Sequence, residues 1–124
     1  MDWKVAIVIV AVIAAYLLIK RMSLIPADTA RQHLASGALV IDVRSQEEFR
    51  NGNISGAVNI PLGDLRDRMP EQVKDKGKVL LLHCLSGGRS GIAQQQLKGM
   101  GYLNVFNLGS LSRAREIVNS ARDN

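Results

Sequence analysis

The chain contains one cysteine, Cys84, and the residues on both sides of it could make that thiol a nucleophile. An apolar run at 79–82 precedes it, and a glycine-rich turn followed by Arg89 and Ser90 comes after it. A strand, a glycine-rich turn and a helix in this order direct several backbone N–H groups at the centre of the loop. These amides, the start of the helix and Arg89 would stabilise the thiolate, which is the reactive form of cysteine. The pattern predicts a nucleophilic cysteine, and the alternative is an inert cysteine buried at the end of a strand.

The length of the loop between Cys84 and Arg89 limits which substrates the thiol could act on. Cysteine phosphatases with a similar stretch have His-Cys, five residues and then Arg-Ser or Arg-Thr. In this chain only four residues separate Cys84 from Arg89, namely Leu85, Ser86, Gly87 and Gly88. A ring with one amide fewer is a tighter cradle, which suits a sulfur atom better than a tetrahedral phosphate. His83 is expected to end the strand and to point away from the Cys84 side chain, so a role as general base is the less favoured interpretation.

Composition excludes several functional classes. The 124 residues suffice for one domain, and the net charge of +5 comes from scattered residues with only 4% aromatic side chains, which argues against nucleic-acid binding. A single cysteine excludes an internal disulfide and any metal site built on a cysteine pair. His33 and His83 do not form a ligand cluster with it. No metal and no cofactor are therefore predicted.

The N-terminal segment is strongly apolar. Residues 5–19 form an uninterrupted apolar run of 15 residues, which predicts an uncleaved transmembrane helix over 3–22. A cleaved secretory signal and a buried core helix are the alternatives. Lys20 and Arg21 place the excess of positive charge after the run, which predicts a single-pass membrane protein with its domain in the cytoplasm. Residues 23–27 would be a linker, and residues 28–122 the domain.

The remaining sequence alternates between strand and helix patterns. The predicted strands are 38–43, 57–59, 79–83 and 105–107, and the predicted helices are 28–35, a short one after the capping box at Ser45, 62–69, 90–100 and 112–122. This alternation predicts an α/β fold with a central, mainly parallel sheet flanked by helices. The carboxyl ends of such strands usually carry the site, and here they carry Asp42, Arg44, Asn59 and Cys84.

Three motifs in this region resemble a known family. They are LVIDVR at 39–44 followed by EEF at 47–49, GNISGAVNIP at 52–61, and the Cys84 loop. In their order and spacing they resemble the rhodanese domain, and the resemblance covers nearly all of residues 27–120. Asn53 stands where that family usually has histidine, and Gly109-Ser110 replaces a more common Gly-Gly.

The resemblance implies a rhodanese fold and a sulfurtransferase. Cys84 would take a sulfur atom from a donor such as thiosulfate or a small-molecule or protein persulfide, hold it as a persulfide against the amides of residues 85–89, and pass it to a thiol or cyanide-like acceptor. Arg89 would hold the loop or the anionic end of the donor. Asp42, Arg44 and Ser90 would support the loop. The alternatives are a non-catalytic binding or regulatory module on the same fold and, less favoured, a phosphatase or arsenate reductase.

Overall fold

The computed structural model describes residues 2–123, apart from the side chains of residues 20–22. Its helices are α1 (Trp3–Met22), α2 (Ala27–Ala35), α3 (Gln46–Arg50), α4 (Leu65–Gln72), α5 (Gly88–Gly99) and α6 (Leu111–Arg122). Its strands are β1 (Leu39–Asp42), β2 (Val58–Asn59), β3 (Val79–His83) and β4 (Asn104–Gly109), and a short 3₁₀ helix, Leu62–Asp64, leads into α4. The described residues therefore contain the predicted alternation of strands and helices.

The four strands form one parallel sheet in the order β2-β1-β3-β4. Helices cover both faces of this sheet, so the two central strands are apolar along nearly their whole length. On one face Leu80 and Leu82 pack with residues of α4 and α5 such as Leu97, and on the other Leu81 packs with residues of α2 and α6 such as Ile117. The predicted α/β fold with a parallel sheet is confirmed.

Several boundaries differ from the predicted ones. Helix α2 begins at Ala27, one residue before the predicted start, with Pro26 as its N-cap and no side chain capping that end. Helix α5 begins at Gly88, two residues before the predicted start at Ser90. The Ser45 capping box is confirmed.

The apolar residues within 90–100 predict an inner face of Ile92, Ala93, Leu97 and Met100 for α5, and this prediction is partly wrong. Ala93 and Leu97 are buried as predicted, but Ile92 is 60% exposed, and Ser90 takes a buried position instead. Residues 90, 93 and 97 follow the helical period, whereas Ile92 lies outside that stripe.

The predicted helix over 3–22 is confirmed as α1. Most of its large apolar side chains are exposed. In the part of the chain that the structure describes, no helix has both the length and the apolarity needed to pass through a bilayer. The structure therefore does not support the predicted transmembrane helix, since the uncharged run between Lys4 and Lys20 has 15 residues where a span needs about 20.

Part of the predicted linker packs against the sheet. Leu24 forms a parallel bridge with Asn107 of β4, and the Ile25 N–H donates to the Asn107 carbonyl at 3.0 Å. The Ile25 carbonyl accepts from the Arg113 guanidinium at 2.6 Å. These contacts bring the end of α1 to the edge of the sheet where β4 ends.

Candidate active site

Parallel pairing brings the carboxyl ends of the four strands together. Asp42 of β1 pairs with Asn59 of β2 on one side and with His83 of β3 on the other. A register shift at the end of β3 pairs His83 with Gly109, and the Cys84 N–H then donates to the Gly109 carbonyl at 3.2 Å. Cys84 is therefore fixed at the carboxyl end of the central strand, at the point where the chain leaves the sheet.

The Cys84 sulfur lies inside the loop that follows it. The residue is 1% exposed, and its Sγ accepts hydrogen bonds from the Gly87 N–H at 3.0 Å and from the Ser90 hydroxyl at 3.5 Å. Burial by itself raises the pKa of the Cys84 thiol, but hydrogen bonds from Ser90, Gly87 and Ser86 outweigh it and lower the pKa below its ordinary value. The loop thus favours the thiolate through neutral donors.

The turn of the loop depends on Gly87. Its φ of +98° lies in the left-handed region, and a Cβ at this position would lie 3.4 Å from the Gly109 Cα. Gly88 then begins α5, and the Ser90 hydroxyl donates to the Gly87 carbonyl at 3.1 Å. This geometry places the N-terminus of a helix of 12 residues beside the sulfur.

The Arg89 guanidinium is paired with the carboxylate of Glu48 in α3. Its two terminal nitrogens lie 2.6 and 3.0 Å from the two Glu48 oxygens. The hydrogen bonds from Arg89 lower the pKa of Glu48 to about 2. The same carboxylate accepts from the N–H and the hydroxyl of Ser45 in the capping box. Arg89 therefore links the loop to α3.

Asp42 and Arg44 form a buried ion pair behind the loop. The Arg44 guanidinium donates to both Asp42 oxygens at 2.8–3.0 Å, and the Arg44 N–H donates to one of them at 2.9 Å. Arg44 also donates to the Gly52 carbonyl at 2.7 Å. The Asn59 amide donates to the carbonyls of Asp42 and Arg44, both at 3.0 Å. This arrangement fixes the segment after β1 against β2 and against the turn at Gly52.

The other loop residues reach the solvent. Leu85 is 55% exposed, and Ser86 and Gly88 are also exposed. Within the predicted cradle of residues 85–89, Gly87 is buried, and its neighbours Ser86 and Gly88 lie on the surface.

Sequence reasoning missed two residues of the site. Glu48 carried a visible signal as the fourth residue of the capping box, but nothing local in the sequence reveals its pairing with Arg89. Asn107 donates to the Gly87 carbonyl at 3.4 Å and accepts from the Gly109 N–H at 2.9 Å. It joins the end of β4 to the loop, and the signal that could have found it is its place at the carboxyl end of the predicted strand 105–107.

Binding of a metal ion requires several ligand side chains close together. Within residues 2–123, no group of three or more His, Cys, Asp or Glu side chains is placed to hold a metal ion. The chemistry that this site can perform is that of a thiolate surrounded by hydrogen-bond donors.

Comparison with known proteins identifies the family. The model of the rhodanese-like domain matches residues 26–113. The thiosulfate sulfurtransferase PspE of Escherichia coli (strain K12) is 39% identical over 71 residues, which cover 57% of this chain and 68% of PspE. Among solved structures, "rhodanese with anions from E. coli" has a TM-score of 0.60 at 36% identity and covers 62% of this chain and 91% of its own. The human single-domain sulfurtransferase TSTD1 has a TM-score of 0.64 at 29% identity, with 76% and 96% covered. The chain belongs to the family of rhodanese-like domains and is a rhodanese-type sulfurtransferase.

Proposed function

We propose that Cys84 takes a sulfane sulfur atom from an anionic donor of the thiosulfate type and passes it to a thiophilic acceptor such as a thiol or cyanide. The observation that carries this proposal is the Cys84 Sγ held by the Gly87 amide and the Ser90 hydroxyl in a turn of neutral donors. Support comes from the similarity to PspE, which is named a thiosulfate sulfurtransferase, and to a rhodanese solved with anions.

The transfer has two balanced steps. The Cys84 thiolate attacks the outer sulfur of thiosulfate, a new S–S bond forms, and sulfite leaves with the electron pair of the broken bond. The persulfide anion is then attacked by the acceptor, which for cyanide gives thiocyanate and restores the thiolate. The loop amides stabilise the negative charge on sulfur in each state without moving.

The donor is selected more by its sulfur than by its charge. Loop residues Leu85 and Ser86 are uncharged, and the Arg89 guanidinium is bound by Glu48. Neutral dipoles hold a dianion less strongly than free cations would. We therefore expect a monoanionic persulfide, carried by a small molecule or a protein, to load Cys84 at lower concentrations than thiosulfate does.

The test is the intact mass of the full chain after incubation with thiosulfate or with a low-molecular-weight persulfide. We expect the gain of one sulfur atom, its loss on adding cyanide with release of thiocyanate, and no gain in Cys84→Ser. Ser86→Ala is the matched control, because the exposed Ser86 side chain lies in the same loop and the protein should still gain sulfur. Absence of sulfur gain with both donors would overturn the proposal and favour a non-catalytic binding module. Hydrolysis of a phosphate ester would favour the phosphatase alternative.

We also propose that α1 brings this domain to a lipid membrane. Large apolar side chains are exposed along the helix, from Trp3 through Ile13 to Ile19, and the first turn has no acidic residue. Apolar surface of this extent is unfavourable in water and favourable in a hydrocarbon phase. The position of the domain on the cytoplasmic side stays a prediction, since only the charges of Lys20 and Arg21 argue for it.

Flotation with vesicles of phosphatidylethanolamine and phosphatidylglycerol tests this second proposal. We expect the full chain to float with the vesicles, and Ile13→Asp to weaken its partitioning by about a hundredfold, because an aspartate in the apolar phase costs about 3 kcal/mol. Leu103→Asp is the matched control, since Leu103 is 75% exposed and lies outside α1. A full chain that stays at the bottom as an oligomer would contradict lipid binding and indicate that α1 associates with itself.

A further inference from the structure

A histidine is buried directly beneath the cysteine and is not used by the proposed transfer. His83, the last residue of β3, is fully buried. Its Nδ1 lies 3.3 Å from the Cys84 carbonyl oxygen, and its Nε2 has no hydrogen-bond partner among the described residues. The nearest carboxylate oxygen, Oδ2 of Asp42, is 3.8 Å from Nε2. The hydrogen bond to the Cys84 carbonyl is therefore the one polar contact of this buried side chain within hydrogen-bond distance among the described residues.

The geometry fixes where the imidazole proton is. A carbonyl oxygen can only accept, so a hydrogen bond between it and Nδ1 requires the proton on Nδ1. Burial lowers the pKa of His83, Asp42 raises it, and Arg44 and Arg115 lower it, with a net result below the ordinary value. The Asp42 oxygens already accept from Arg44. The lowered pKa favours the neutral imidazole, and a hydrogen bond to the Cys84 carbonyl then requires the single proton to be on Nδ1.

The carbonyls of the loop are held by separate donors. The Cys84 carbonyl accepts from His83, and the Leu85 carbonyl accepts from the Leu111 N–H at 3.2 Å. The Gly87 carbonyl accepts from the Ser90 hydroxyl at 3.1 Å. A carbonyl oxygen turned towards the sulfur would repel a thiolate, so each of these bonds removes one source of repulsion.

We propose that His83 is a positioning residue, whose Nδ1–H holds the Cys84 carbonyl in place so that the turn that follows keeps the Ser86 and Gly87 N–H groups directed at Sγ. The N–H and C=O of one peptide unit point in opposite directions, so a fixed carbonyl also fixes the amide of the following residue, Leu85. Without the imidazole, the peptide between Cys84 and Leu85 has one restraint fewer. The turn then favours the thiolate less.

The test measures the Cys84 thiol rather than sulfur transfer. The rate of alkylation of the full chain by iodoacetamide, followed by intact mass as a function of pH, gives the pKa of the thiol. His83→Leu fills a similar volume without a donor, and we expect its midpoint to rise by about one unit, which slows alkylation about tenfold below both midpoints. His83→Asn can still donate to the carbonyl and should lie closer to the original chain. His33→Leu is the matched control and should leave the midpoint unchanged. A His83→Leu variant that melts cooperatively and keeps the original midpoint would overturn the proposal.

A measurement on the unmodified chain covers the case in which His83→Leu does not fold. Imidazole ¹⁵N shifts distinguish the two neutral tautomers, and a spectrum of His33→Asn assigns the signals of the two histidines. We expect a proton on Nδ1 of His83, and a proton on Nε2 alone would overturn the proposal. The inference uses the proposed function only to identify Cys84 as the nucleophile. If no donor transfers sulfur but His83→Leu still shifts the thiol midpoint, the proposed function fails and the positioning role stands.

Discussion

Ser90→Ala tests the reasoning about the Cys84 thiol most directly. The buried Ser90 hydroxyl lies between two acceptors, the Cys84 Sγ at 3.5 Å and the Gly87 carbonyl at 3.1 Å. A hydroxyl has one proton, so it donates to one of these acceptors at a time. The carbonyl is the better acceptor while sulfur is protonated, and the thiolate is the better one after the proton has left. Removing the hydroxyl therefore affects the thiolate more than the thiol.

The magnitude follows from the difference between these two hydrogen bonds. A hydrogen bond to a charged group contributes about 1.5–3 kcal/mol, and one to a neutral group contributes about 1 kcal/mol. The difference of about 0.5–2 kcal/mol is centred close to the 1.36 kcal/mol of one pKa unit, so the expected shift is about one pKa unit. We expect Ser90→Ala to raise the pKa of Cys84 by that amount and to slow alkylation about tenfold at pH values below both midpoints.

The assay is the pH dependence of alkylation by iodoacetamide, read from intact mass. Ser86→Ala is the matched control, because Ser86 acts on the thiol through its backbone amide and its side chain is exposed. Its midpoint should equal that of the unmodified chain. A melting curve for each variant separates a change in the loop from a loss of folding.

Two results would refute this reasoning. Equal midpoints for Ser90→Ala and the unmodified chain would mean that the hydroxyl donates to the Gly87 carbonyl in both protonation states. Equal shifts in Ser90→Ala and Ser86→Ala would mean that the loop responds to any substitution, so that the hydroxyl itself has no special effect.

Further predictions concern stability and the geometry of the loop. Glu48→Ala removes both the capping-box partner and the Arg89 pair, and we expect the free energy of unfolding, measured in urea, to fall by about 1–2 kcal/mol. A fall below about 0.3 kcal/mol would contradict this role of Glu48. The Arg89–Glu48 pair is about a third exposed. In the folded protein the pKa of Glu48 is lowered from 4.5 to about 2, so the stabilisation by this pair is fully present above pH 4.5 and is lost as the pH falls towards 2. The stability difference between the unmodified chain and Glu48→Gln should shrink over that window, and a constant difference would count against the pair. Gly87→Ala places a Cβ 3.4 Å from the Gly109 Cα at a positive φ. We expect about 1–3 kcal/mol of destabilisation in thermal melts and weaker sulfur loading of Cys84. Normal sulfur loading would refute the role of the turn. Leu82→Ala leaves a cavity in the core and should cost about 2–5 kcal/mol in the same melts, and a loss below about 1 kcal/mol would show that the core closes around it.

The parts of the fold that the sequence predicted best are those with local causes. Strand β3 was predicted with its observed bounds, because an unbroken apolar run between turn signals is typical of a buried parallel strand. The capping box at Ser45 and the turn at Gly87 were likewise visible in adjacent residues. The inner face of α5 was less clear, because small residues, Ser90 and Ala93, take buried positions where the helix approaches the sheet while Ile92 is left outside. A prediction from hydrophobicity alone therefore assigns Ile92 to the buried face, where the structure has Ser90.

Contacts between distant segments could not be predicted in this way. Glu48 and Arg89 are 41 positions apart, and nothing in either neighbourhood specifies the partner. Arg89 is predicted to hold either the loop or the donor, and its hydrogen bonds to Glu48 of α3 could not be inferred from the residues next to it. The prediction of a transmembrane helix has a different weakness. The apolar character of α1 is clear from the sequence, but its uncharged run is shorter than a membrane span needs.

The division between local and distant contacts is also a division of chemical roles. The groups that lower the pKa of the Cys84 thiol, namely Ser86, Gly87 and Ser90, lie within six residues of it. The groups that hold this turn in place come from elsewhere: Glu48 binds Arg89, and Asn107 binds the Gly87 carbonyl. The short motif therefore contains the groups that lower the thiol pKa, and residues outside the motif hold those groups in place. It follows that domains with the same loop sequence can differ in thiol reactivity when the contacts behind the loop differ, and that substitutions away from the sulfur can change its pKa without touching it.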